Sequence, residues 1–276
     1  LPFALPAYLA RIGIDAAPTP DLAGLETLHR AHRLAIPFEN LDIPLGMGII
    51  IDPDAVFAKL VTRRRGGYCF EQNRLFLAAL DALGFSARPL LARVWLLADA
   101  TPPLTHTFSL VTIDGEEWIA DAGFGGSFSP PMPLTDGAAF TAADGTTHRL
   151  TSGTPHGWML DRAGDPAATD GRSTDTRDWQ PQYSFTLGQV EPIDLELSNH
   201  WASTRAGTRF TTLTLASRVL PNGFASLLDA RLTLHRDGES RVLLLTDAIA
   251  YRAALADHFG LELTREEVDR LRLFER

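Results

Sequence analysis

The chain has one cysteine and one lysine in 276 residues, and no apolar run long enough to span a membrane. A lone cysteine, Cys69, excludes an internal disulfide framework and suits a reducing compartment, so a cytoplasmic location is expected. No stretch has the charged, apolar, then small-residue order of a secretory leader, and none offers a membrane-spanning helix. The first residue is Leu1 rather than Met, which leaves the true N-terminus open. Positive charge is scarce as well. Lys and Arg number 25 against 34 Asp and Glu, a formal net charge of −9 that argues against a nucleic-acid partner. Arg63-Arg64-Arg65 is the one basic run, and it reads as a solvated loop ahead of a helix. Neither repeats nor low-complexity segments occur. The length suffices for one large domain, or two to three small ones, with a real core.

What the chain does have is Arg65-Gly66-Gly67-Tyr68-Cys69-Phe70-Glu71-Gln72-Asn73. Beyond Cys69 the pattern is helical and apolar on most sides, through Leu75, Phe76, Leu77, Leu80 and Leu83. Only Glu71, Arg74 and Asp81 make a narrow polar stripe, which predicts a central, mostly buried helix. Gly66-Gly67 permits a sharp turn into it, and Gly84 stands where a C-terminal cap belongs. Cys69 therefore sits at a helix N-terminus, a setting that lowers a thiol pKa from ~8.5 to roughly 3.5–7.5. A buried structural cysteine is the alternative, but such a residue needs no Gly-Gly turn at a helix mouth.

A thiolate needs a base, and the base needs a group to orient it. Thr105 to Val111 and Glu117 to Asp121 read as strands joined through Asp114-Gly115, a strong two-residue hairpin signal. That turn pairs Ile113 with Glu116 and, stepping outward, Phe108 with Asp121. His106 then shares a face with Asp121 as a diagonal cross-strand neighbour, within bridging reach. A three-residue turn would put the two on opposite faces.

These motifs together closely resemble the arylamine N-acetyltransferases of bacterial type. The resemblance rests on the Arg65–Asn73 stretch, on His106 in a strand, and on Asp121-Ala122-Gly123-Phe124-Gly125, with Cys, His and Asp in the family's order and spacing. Pro37-Phe38-Glu39-Asn40-Leu41 and Asn199-His200-Trp201 with Ser203-Thr204 are similar to two further signatures. Ala122 departs from the valine that the family often has. The resemblance implies Cys69, His106 and Asp121 as catalytic triad, and acetyl-coenzyme A as co-substrate with no permanently bound cofactor or metal. An aromatic amine, hydrazine or hydroxylamine is the implied acceptor, in ping-pong transfer through an acetyl-cysteine and in the setting of xenobiotic metabolism. It also implies that Thr105, Gly125 and Gly126 border the coenzyme and that Phe38, Phe124 and Trp201 line the amine pocket. Read without it, Gly123 to Ser127 is a tight turn whose bare backbone could approach a pyrophosphate, and the aromatics are equally ordinary core. Glu39 and Arg65, one from each of two motifs, are expected to form a buried pair.

The expected fold is α+β, with a papain-like or transglutaminase-like cysteine core. Residues 1–84 read as a helical region carrying the cysteine: Leu5 to Ile12, a helix from Asp21 to before Pro37, one from Asp52-Pro53 through Leu60, and the Cys69 helix. Glu26, His29 and His32 have metal-like helical spacing but no zincin pattern, and read as a solvated face. Residues 85–190 read as an antiparallel barrel or sheet carrying the His and Asp. Its strands are Pro89 to Leu97, the hairpin, and runs near Phe140, His148 to Thr151, Gly157 to Leu160 and Gln182 to Leu187. Asp161 to Asp178 reads as an exposed loop. Residues 191–276 read as an α/β lid: a helix over Pro192 to Ala202, strands over Arg209 to Ser217 and Arg231 to Leu245, and helices over Asp247 to Phe259 and Thr264 to Phe274. Three other functions remain open: an amide synthase of the same fold using a polyketide or other acyl donor, a cysteine hydrolase or transglutaminase-like enzyme, and a non-enzymatic binder. The lack of lysine beside abundant arginine and alanine fits a GC-rich bacterial genome.

Overall fold

The N-terminal helices begin and end where the sequence places their caps, whereas the last helix, expected from Thr264 to Phe274, stops at Arg270. In the computed structural model, residues 3–126, 128–142, 145–164 and 178–274 are described. Helix α1 (Leu5–Ile12) starts with a proline in its first turn and stops at Gly13, at φ +74°. In α2 (Leu22–Ala35) the Asp21 carboxylate accepts the Gly24 N–H at 2.8 Å, and the helix gives way at Ile36, which Pro37 forces toward extended backbone. A two-residue strand, β1 (Phe38–Glu39), follows. Helix α3 (Pro53–Phe57) widens into a π-turn over Ala58–Thr62. Helix α4 (Cys69–Ala82) is the hub. Its Leu75, Phe76, Ala79 and Leu80 pack with Tyr8, Leu25, Leu28 and Val111 in one buried cluster.

The central strands are β2 (Ser86–Val94), β3 (Leu104–Ile113), β4 (Glu116–Ala120), β5 (Met132–Pro133), β6 (Ala139–Thr141), β7 (Thr147–Thr154), β8 (Gly157–Ala163) and β9 (Gln180–Phe185). They form one antiparallel sheet in the order β5-β4-β3-β2-β9-β8-β7-β6. Its edge strands, β5 and β6, are consecutive in the chain, so the sheet curls into a barrel-like shape. Strand β3 is buried on both faces: Phe108 and Leu110 join Leu160, Tyr183 and Phe185 on one side, while Val111 and Ile113 meet α4's cluster on the other. The two-residue alternation of side chains produces this division.

The C-terminal part comprises α5 (Pro192–Thr204), α6 (Arg209–Thr212), β10 (Leu215–Leu220), β11 (Gly223–Leu228), β12 (Arg231–Arg236), β13 (Glu239–Leu244), α7 (Ala248–Ala254), a π-turn over Leu255–Phe259, and α8 (Arg265–Arg270). Its strands form a second antiparallel sheet in the order β1-β10-β11-β12-β13. Strand β1 thus carries residues of the N-terminal helical region into the C-terminal sheet, pairing Phe38 with Ser217. Two residues are too few to read as a strand from sequence, and β11 also escapes that reading.

Several expectations need correction. Arg209 to Thr212 is a helical turn, not a strand, because the Thr211 and Thr212 hydroxyls bond back to the Thr208 carbonyl at 3.2 and 2.8 Å and hold the chain in a turn. The loop expected from Asp161 begins later: β8 runs through Ala163, with Asp161 and Arg162 buried, and residues 165–177 lie outside the described ones. Glu26 is exposed, but His29 and His32 are wholly buried. Their spacing puts both on α2's inner face, with His32 bridging Tyr8 Oη at 2.8 Å and Gln72 Oε1 at 2.7 Å.

Glu71, on the polar stripe of α4, is buried. The π-turn brings Lys59 inward, where its Nζ lies 2.7 Å from both Glu71 and Asp42. Arg65 contacts Glu39 at 2.8 Å and Asp42 at 3.0 Å, so the expected Glu39–Arg65 pair is present within a larger buried cluster. Two cations face three carboxylates. The excess falls on Glu71, which burial and the neighbouring Glu39 push from 4.5 up to about 7 against the pull of Lys59. Its folded-state pKa is raised, so its contribution to stability is complete below pH 4.5 and is lost as pH rises through about 7. Relative to Glu71→Gln, the wild type should therefore lose roughly 3 kcal/mol over that window. Thermal or urea unfolding of both proteins across the window measures this; a constant gap would refute the assignment.

Candidate active site

Helix α4 begins at Cys69 because the chain leaves the Gly66-Gly67 turn in extended conformation at Tyr68. Glu71 Oε2 accepts the Tyr68 N–H at 3.1 Å, and the Tyr68 hydroxyl donates to Asn199 Oδ1 on α5. Gln72 donates to the carbonyls of Pro37 and Gly67, at 2.8 and 3.2 Å, fixing the turn from beneath. Both glycines are required by space. A Cβ on Gly66 would lie 2.3 Å from the Pro37 carbonyl oxygen, and one on Gly67 would lie 2.8 Å from the Glu71 side chain.

The β3–β4 hairpin has the two-residue turn that its sequence predicts. Asp114 and Gly115 both take positive φ, at 50° and 85°, and Ile113 pairs with Glu116. On β3's other edge the pairing with β2 skips Thr105, an extra residue that makes a bulge. Bulges re-aim side chains beside active sites; here His106 follows the bulge directly. Its Nε2 lies 2.6 Å from Asp121 Oδ2, and Asp121 stands one residue past the end of β4. Phe124 and Tyr183 flank the imidazole, with ring centroids 5.0 and 5.1 Å away.

Asp121 is the most heavily supported group in the site. Its Oδ1 accepts from Asn73 Nδ2 at 3.1 Å and from the Gly123 N–H at 2.9 Å. The Tyr183 hydroxyl also reaches this carboxylate, and His29 Nε2 donates to its main-chain carbonyl at 2.8 Å. Burial works to raise the Asp121 pKa, but His106 and the donors on Oδ1 outweigh it and bring the group to about 2. Asp121 is thus ionised and acts as an acceptor throughout the neutral range.

Cys69 departs from expectation. Burial, reinforced by the charge of Asp121, pushes its thiol up, against the pull of the N–H groups of Phe70, Thr107 and Cys69 itself. The helix mouth alone does not outweigh desolvation. An anionic sulfur here requires a compensating proton on the imidazole. With His106 Nε2 committed to Asp121, Nδ1 is the nitrogen left for that role. The thiol donates weakly to the Thr105 carbonyl at 3.8 Å.

Cys69 and His106 open into one cavity of about 350 Å³. Thr105, Phe38, Phe124, Gly125 and Trp201 line it too, as does Phe210. Asp121 stands behind the imidazole. Gly126, at φ +66°, is buried and is not part of the lining. Among the described residues, no cluster of His, Cys, Asp or Glu has the geometry to hold a metal.

A profile of an N-acetyltransferase family matches residues 21–268. An arylamine N-acetyltransferase of Mycolicibacterium smegmatis is 36% identical over 94% of this chain and 92% of its own length. The chain belongs to the arylamine N-acetyltransferase family. A Salmonella typhimurium relative, named for arylamine N-acetyltransferase and N-hydroxyarylamine O-acetyltransferase activity, is 36% identical over 93% of this chain and 88% of its own. The solved Salmonella typhimurium enzyme superposes with a TM-score of 0.88 at 33% identity, covering 97% of each chain. A Mycobacterium marinum family member, solved in complex with CoA, gives 0.85 at 34%, covering 97% of this chain and 98% of its own.

For this family member the sequence reading missed Asn73, Gln72, His29 and Tyr183. Asn73 was within reach, since residues four apart share a helix face and Cys69 was already placed. Tyr183 and His29 arrive from distant segments and carry no local signal. Gly123 is a sharper case: a Cβ there would lie 2.7 Å from Asn73 Nδ2 and 3.0 Å from the Cys69 Cα. Gly123→Ala should therefore displace the carboxylate's support or the helix mouth. We expect its iodoacetamide labelling of Cys69 to change at least severalfold while the thermal midpoint moves by only a few degrees. Labelling at the wild-type rate would show that the close approach is immaterial.

Proposed function

We infer that the chain transfers an acetyl group from acetyl-coenzyme A to arylamines, arylhydrazines or arylhydroxylamines by a ping-pong mechanism, with Cys69, His106 and Asp121 as the triad of a papain-like core. The observation that carries this reading is one cavity holding the thiol and an imidazole whose far nitrogen is bound to a buried, ionised carboxylate. The named activities of the relatives support the acyl donor and acceptor, and so does the CoA bound to a structural neighbour. A single free thiol is consistent with work in the cytoplasm.

In the first half-reaction the thiol proton passes to His106 Nδ1 and the sulfur attacks the thioester carbonyl. Asp121 stabilises the imidazolium without taking its proton. The tetrahedral oxyanion lies within range of the N–H groups of Cys69 and Phe70, which the first turn of α4 leaves without helical partners. Collapse breaks the carbon–sulfur bond to coenzyme A; the imidazolium returns the proton to the departing thiolate, and acetyl-Cys69 remains. In the second half-reaction the neutral amine attacks that thioester, His106 accepts the amine proton, and the Cys69 sulfur leaves. The apolar walls, Phe38, Phe124 and Trp201 among them, suit a flat ring and exclude water, the competing nucleophile. In this reading Thr105 and Gly125, which line the cavity, border the coenzyme, and Gly126 is the buried residue that follows Gly125.

Intact mass spectrometry after brief exposure to acetyl-coenzyme A should show one added acetyl group. It should be absent in Cys69→Ala and discharged by an arylamine. Asp121→Asn should slow acetylation by roughly 10³–10⁴-fold, as removing a triad carboxylate does elsewhere. A wild-type protein that stays unmodified by acetyl-coenzyme A would sink this reading.

A further inference from the structure

The cavity's charge is one-sided. No acidic side chain lines it among the described residues, yet Arg205, at the end of α5, and Arg209, the first residue of α6, do. The chain as a whole carries a formal charge of −9, so its general field repels anions. Two arginines at the mouth of the site run against that field. Arg205 is exposed, and its guanidinium carbon lies 4.2 Å from the centroid of the Trp201 ring. It has no carboxylate within ion-pair distance among the described residues. Stacking of this kind orients the guanidinium plane while leaving its edge N–H groups for an incoming ligand. Such an edge matches the paired oxygens of a carboxylate or phosphate. Gly207, at φ +80°, lets the chain turn between the two arginines.

We propose that Arg205 and Arg209 form an anion-recognising mouth that selects substrates carrying a carboxylate or phosphate at the end remote from the reacting atom. The anionic group has two possible sources, the phosphates of the acyl carrier and a carboxylate on the aromatic acceptor. The proposal rests on the acetyl-transfer reading for the identity of those two substrates, while the binding itself does not require turnover.

Isothermal titration separates the sources. Coenzyme A is compared with pantetheine, which lacks the phosphates, and 4-aminobenzoate with its neutral counterpart 4-aminobenzamide. Wild type, the Arg205→Gln/Arg209→Gln double variant and the charge-keeping Arg205→Lys/Arg209→Lys variant are each titrated, with thermal midpoints checking that all three fold. Losing charge-assisted hydrogen bonds should weaken at least one anionic ligand roughly tenfold or more in the Gln variant. Its neutral counterpart should stay within about twofold, and the Lys variant should fall between. Loss confined to coenzyme A assigns the mouth to the donor, and loss confined to 4-aminobenzoate assigns it to the acceptor. Equal affinities of the wild type and the Gln variant for both anions would overturn the proposal. A wild type that binds these anions but is not acetylated by acetyl-coenzyme A would instead overturn the acetyl-transfer reading and leave the mouth standing.

Discussion

The 2.6 Å hydrogen bond between His106 Nε2 and Asp121 Oδ2 is the contact around which the molecule is arranged. A carboxylate inside a protein stays ionised only if donors replace the water it has lost. Asp121 collects them from four directions: the imidazole on β3, Asn73 on α4, the Gly123 N–H on its own turn, and Tyr183 on β9. Helix α2 adds His29 at the carbonyl of the same residue. Helices α2 and α4 and strand β9 therefore each contribute a bond to this one residue. Shifting any of these elements leaves that charge short of a donor.

Cys69 has the opposite electrostatic situation. Its backbone is fixed by Gln72, by the Tyr68 contact with Asn199 and by the close approach of Gly123, but its sulfur has only weak partners. Burial raises the pKa of its thiol. In the proposed mechanism the sulfur ionises only together with charging of an imidazole already placed against a carboxylate, which would limit indiscriminate reaction, since the thiolate is the reactive form.

The buried charges around Lys59 serve a different purpose. Strand β1, the loop carrying Asp42, the π-turn and the first turn of α4 meet there. Glu39, Asp42 and Glu71 converge on Lys59 and Arg65 instead. Buried ion pairs are poor sources of net stability, but removing one partner is costly, by about 3–5 kcal/mol. Such a cluster fixes geometry more than it adds stability. What it fixes is the turn that presents Cys69, and the short strand that carries Phe38 into the cavity wall.

Much of this was legible in the chain itself. The Gly-Gly turn before a lone cysteine, the Asp114-Gly115 hairpin and the parity that puts His106 on the face of Asp121 are local rules. They follow from glycine's conformational freedom and from the two-residue period of a strand. The Asp21 cap, Pro37 and Gly84 likewise marked helix ends through local bonds and sterics. Local rules failed where partners come from far away. Nothing near His29 or His32 announces burial, because their partners Asp121, Gln72 and Tyr8 are brought to them only by packing. Glu71 read only as part of a narrow polar stripe until the π-turn carried Lys59 to it. The strand expected at Arg209 became a helical turn that brings Arg209 to the cavity lining beside Arg205 from the end of α5. Sequence alone determined that a thiol, an imidazole and a carboxylate could share one site. Tertiary packing decided the pKa of the thiol and of the carboxylate, because the balance between desolvation and neighbouring charge exists only once the surrounding groups have closed over them.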